Sequence, residues 1–100
     1  MRTLKSVNYD KLVSGQWYSC LIKDMDDTTY CDWYFRFVGY DSKGDILNDK
    51  CYSTYQDGSL YSSYSRGVNG LCDKSDIKPN SIRSVSEKWV MEKVKEIKGL

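Results

Sequence analysis

The sequence contains no histidine, a single proline at Pro79, and no two cysteines at CxxC spacing. Without histidine there is no Ser-His-Asp or Cys-His nucleophilic site, and the common mixed zinc patterns are missing. No glycine-rich phosphate loop is present. No apolar run approaches the roughly 18 residues that would span a bilayer. The opening residues MRTLKSVNYDKLVSG lack an apolar h-region, so no signal peptide is expected. These gaps predict a chain that is not an enzyme, uses no cofactor and stays off the membrane, with the cytoplasm as its compartment.

What is present is one domain's worth of chain, 100 residues read as a single unit over 1–100. Nine Tyr, three Trp and two Phe argue against disorder. Fifteen basic residues against 14 acidic ones leave a net charge of +1, which gives no global pull toward nucleic acid or an anionic surface. Residues 24–49 hold seven acids against Arg36 and Lys43, so an electrically two-sided molecule is one reading, and solvated loops beside a lysine-rich helix are the other. The DMDD run at 24–27 has carboxylates for a divalent cation but lacks the glycine and distal glutamate of a calcium loop, and reads as a solvated loop. Cys20, Cys31, Cys51 and Cys72 read first as buried thiols acting as small hydrophobes. Disulfides, or one zinc held by all four, are the alternatives.

Along the chain, Asn8 is placed to cap a short helix over 8–14, with Gly15 ending it. Strands are expected at 16–22, 30–40, 46–55 and 60–66. Asp57-Gly58 marks a hairpin and Asn69-Gly70 a second turn. Residues 71–79 and 81–85 supply one more short strand. A helix over about 86–98 carries Val90, Val94 and Ile97 on one face. Two caps compete for its start: Ser84 in a capping box with Glu87, or Ser86 with Val85 stapled onto Val90. The expected fold is α+β and β-rich: a small antiparallel sheet or SH3-like barrel of 4–5 strands with a C-terminal helix.

The stretch WYFRFVGY, Trp33 to Tyr40, concentrates five aromatic residues around one arginine. In a strand, Cys31, Trp33, Phe35 and Phe37 share one face, which is wholly apolar and belongs to a core. Tyr30, Asp32, Tyr34, Arg36, Val38 and Tyr40 share the other, an amphipathic face. It suits either a half-exposed sheet of cross-strand tyrosines or a recognition surface. Residues 52–70, YSTYQDGSLYSSYSRGVNG, continue the same chemistry with a Tyr/Ser/Gly mixture of the kind that antibody paratopes use. The candidate binding residues are therefore Tyr34, Arg36, Tyr52, Tyr55, Tyr61, Tyr64 and Arg66. FRFVGY matches part of the RNP1 strand of RNA-recognition domains, but Arg36 stands where a small residue belongs and no helix separates the first strands.

The succession LVSGQWYSCLI, DWYFRFVGY, a tyrosine-rich hairpin and a Ser-initiated terminal helix resembles small uncharacterised proteins of bacteriophages and related mobile elements, in which a G-x-W-Y strand precedes an aromatic strand. Gly15, Trp17 and Tyr18 carry most of the likeness, which spans 12–97. The resemblance implies an accessory protein of the host-cell cytoplasm that blocks a host factor or an antiviral defence. The leading expectation is a binding protein that grips a host protein with its Tyr/Ser/Arg surface. The alternatives are a nucleotide sponge or single-strand binder that stacks bases on tyrosine and holds phosphate with arginine, and a homodimer joined through the aromatic face.

Overall fold

The computed structural model describes residues 6–23, 29–54, 60–64, 69–72 and 74–98. Side chains are described within these except at 53–54, 60–64, 69–72, 74 and 98. The 24–27 carboxylates, Tyr55, Asp57-Gly58 and Arg66 lie outside the described residues.

Among the described residues, six strands form one antiparallel sheet: β1 (Trp17–Lys23), β2 (Tyr30–Tyr40), β3 (Ile46–Thr54), β4 (Leu60–Tyr64), β5 (Asn69–Cys72) and β6 (Arg83–Val85). The order β4-β3-β2-β1-β6, with β5 also pairing β3, is that of an open sheet rather than the SH3-like barrel. Two short strands form where one was expected, and Asn69-Gly70 opens β5 instead of making a turn. Beyond the short β6, irregular chain continues the pairing along β1 and adds a bridge to β6 itself. Ile22 bridges Ile77, the Lys78 amide donates to the Leu21 carbonyl at 2.9 Å, and Ser6 bridges Arg83.

The chain closes on α1 (Glu87–Lys98). Of the two competing caps, Ser86 is used: its hydroxyl accepts from the Trp89 amide at 3.0 Å. Val85 and Val90 pack in one cluster, as a staple across that cap requires. At the other end of the chain, the Asn8 side chain accepts from the Asp10 amide as expected, but what it caps is a single 3₁₀ turn, Tyr9–Lys11. Gly15, at φ 89°, then turns the chain into β1.

Each sheet face carries a core. On the first, Tyr18 and Cys20 of β1 meet Trp33, Phe35 and Phe37 of β2 and Ile46 and Cys51 of β3. Leu12, Ile77 and Ile82 close over them. The thiols of Cys20, Cys31 and Cys51 are buried, and no cluster of metal-ligating residues forms among the described residues. On the second face, Trp17, Tyr34 and Val85 pack against Val90 and Val94 of α1. Both apolar stripes of sequence thus find partners: the odd residues of β2 under irregular chain, the valines of α1 against the even residues.

Two bulges interrupt the β2–β3 ladder. Arg36 faces Lys50 and Phe37 faces Asn48, which leaves Asp49 as an extra residue in β3. Gly39 then faces Leu47, which leaves Val38 extra in β2. The second bulge inverts the alternation. Tyr40 pairs with Ile46 of the first core and its ring lies 4.9 Å from that of Phe37, so it does not share the face of Tyr34.

Candidate functional site

Of the seven residues expected to form a binding surface, Tyr34 is the clearest correction. It is 5% exposed, with its ring edge-on to Trp89 of α1 at 5.6 Å. Burial, with Asp32 and Glu96 adding negative charge nearby, pushes its phenol up to about 12. A neutral, covered ring that anchors a helix is core, not contact surface. The helix explains the misplacement: alternation assigns a residue to a face but says nothing about what packs on that face.

Arg36 and Tyr52 lie at the edge of the same core. Trp17 faces Arg36 across β1–β2, and Arg36 faces Lys50 across β2–β3. Tyr52, half-buried opposite Tyr34, stacks on the Trp17 ring at 6.2 Å with 17° between planes. The bulge that frees Asp49 from the ladder sets its carboxylate against Arg36. The Arg36 Nε donates to Oδ1 and Nη2 to Oδ2, both at 2.7 Å. The hydrogen bonds of this fork raise the arginine's pKa and lower that of Asp49. Glu87, at the start of α1, adds to the field on Arg36. About a third of each side chain stays exposed, so the pair is fixed in geometry while its flank meets solvent.

Tyr61 and Tyr64 belong to β4, where the backbone register sets Tyr64 opposite Cys51 and Ser63 opposite Tyr52. Their side chains lie outside the described residues, as do Tyr55 and Arg66 entirely. The structure therefore brings Arg36 and Tyr52 together with three residues outside the expected binding set: Trp17, Asp49 and Lys50. Asp49 carries a weak sequence signal, as an acid in the middle of a strand otherwise rich in apolar and polar uncharged residues.

A cleft on another part of the molecule escaped the sequence reading. A cleft of about 520 Å³ opens between residues 6–10 and 77–82, with Val7, Ile77 and Ile82 among its lining. Its walls are some seventy residues apart in the chain, and no local pattern connects them.

No family model, no curated protein and no solved structure matches the chain.

Proposed function

We propose that the protein works by binding, without catalysis, and that it engages a host protein in the cytoplasm in the manner of a phage accessory inhibitor of a host factor or defence. The contact surface in this reading is the rim of the second core. Arg36 and Tyr52 are its anchors, and the β4 backbone, with Ser63 opposite Tyr52, continues the sheet beyond them. The supporting observation is the fixed geometry of the two anchors. Arg36 is held by a two-bond fork and Tyr52 by the Trp17 ring, so neither loses much side-chain freedom when a partner docks. Arginine and tyrosine are also the residue types that most often dominate interface energy.

The nucleotide reading is the weaker one at this rim. Arg36 already directs its Nε and Nη2 at a carboxylate, and a phosphate would have to displace Asp49 or sit beside its negative charge.

The test is affinity capture from host lysate with the wild type, Tyr52→Ala, Arg36→Ala and, as a control distant along β2, Tyr30→Ala. The expected result is one stoichiometric host polypeptide retained by the wild type and Tyr30→Ala and lost from the other two, all four showing the same folded circular dichroism spectrum. Retention by all three variants would remove the rim from the account. Self-association that depends on Tyr52 would replace the host protein by a second copy of this chain.

A further inference from the structure

The two edges of the sheet differ. At the β6 edge, Ser6 bridges Arg83, the Val7 amide donates to the Ile82 carbonyl at 2.8 Å, and the Lys78 amide donates to the Leu21 carbonyl at 2.9 Å. The opposite edge is β4. It pairs with β3 along one side, and among the described residues nothing pairs with its other side. The chain is anchored on β3 both before and after β4: Thr54 faces Leu60, and Asn69 faces Asn48. The chain preceding Ser6 is attached beyond β6, five strand spacings or about 24 Å from β4, whereas its five residues reach at most about 17 Å.

An edge strand presents a row of amides and carbonyls ready to pair with another strand, and proteins guard such edges with charge, proline or covering chain. β4 reads LYSSY, with no charge and no proline in its five residues. Its tyrosines favour the strand conformation. This composition bears on the occupant. When two copies of one strand pair antiparallel, each residue meets a residue of that same strand, so a charged strand sets like charges close together. LYSSY carries no such penalty. With Ser62 at the centre of the pairing, Leu60 stands opposite the partner's Tyr64, Tyr61 opposite the partner's Ser63, and Ser62 opposite the partner's Ser62. One register serves both copies, and the strand is used over its whole length.

We infer that the outer edge of β4 is a pairing site for a second copy of this chain, joined antiparallel about a twofold axis through Ser62. A twofold axis perpendicular to the sheet keeps like faces together. The dimer therefore carries both Arg36–Tyr52 rims on one face of a continuous sheet. The inference does not rest on the rim being a contact surface, because the edge pairs through main chain and the rim acts through side chains.

The test is analytical ultracentrifugation of the full chain from about 1 µM to about 500 µM, a range that brackets the affinity of a small interface. A monomer–dimer equilibrium with a Kd of about 50 µM is expected, with no larger species, because a twofold interface closes on itself. Ser62→Lys, which sets two lysines opposite each other, should weaken the dimer about fivefold or more at an unchanged circular dichroism spectrum. Tyr52→Ala should leave the dimer intact. Amide hydrogen exchange locates the contact whether or not Ser62→Lys folds: protection at residues 60–64 of the wild type should rise with protein concentration. A protein that stays monomeric throughout would overturn the inference. So would a dimer lost from Tyr52→Ala but kept by Ser62→Lys, assembly beyond the dimer, or exchange at 60–64 that ignores concentration.

Discussion

On one face of the sheet the core is closed by chain with little regular structure: Leu12, Ile77 and Ile82, helped by Val7 and Tyr9. On the other it is closed by a single helix of 12 residues presenting Val90 and Val94. The first lid is held by scattered backbone and hydroxyl hydrogen bonds that join residues far apart in sequence, such as Val7 to Ile82 and Tyr9 to Gly44. The second is held by an apolar stripe and one cap. The comparison shows two ways to cover an aromatic strand, and each leaves a different feature behind. The irregular lid leaves a cleft with charged walls. The helical lid leaves a rim where a salt-bridged arginine and a stacked tyrosine meet solvent.

The contrast predicts unequal sensitivity to substitution. Phe35, fully buried at the centre of the first core, should be the most costly residue to truncate. Phe35→Ala is expected to lose about 3–5 kcal/mol in urea unfolding, a large share of a small domain's stability. A loss comparable to that of a surface substitution would mean that the first core is not the main one.

The helical lid should weaken by a smaller step when its cap is removed. Ser86→Ala is expected to cost about 1 kcal/mol, with reduced helical signal near the Trp89 amide in hydrogen exchange. An equal cost from Ser84→Ala would instead restore the capping box with Glu87.

The smallest effect belongs to the rim. Because Arg36 holds the Asp49 pKa below its ordinary value, the pair's contribution is complete above about pH 3.9, the unfolded carboxylate value. It is lost as pH falls through the lower folded value. Both groups are about a third exposed, so Asp49→Asn should cost no more than about 1 kcal/mol at pH 7. The same change should flatten the stability loss between pH 4 and the folded Asp49 pKa. An unchanged acid profile would separate the fork from stability altogether.

The sequence announced much of this. The 11-residue alternation of β2 is long and free of Gly and Pro until Gly39, so its limits, Tyr30–Tyr40, were readable to the residue. Ser86 followed by an apolar stripe located α1. The even face of β2 was misread because Tyr34 looks amphipathic in isolation. The valines of α1 needed a surface to cover, and that pairing is a tertiary fact without a local signal. Tyr40 was misassigned because a bulge at Val38 carries no distinctive residue. The cleft was illegible for a simpler reason: its walls meet only through long-range pairing, Ser6 with Arg83 and Val7 with Ile82.

The central claim is that the rings of β2 build two cores and that contact surface begins only at their rim. Urea unfolding of Tyr34→Ala beside Tyr52→Ala tests it most directly. The account predicts a loss of about 3 kcal/mol for Tyr34→Ala and less than half that for Tyr52→Ala. A Tyr34→Ala protein as stable as the wild type would contradict it and return Tyr34 to the surface.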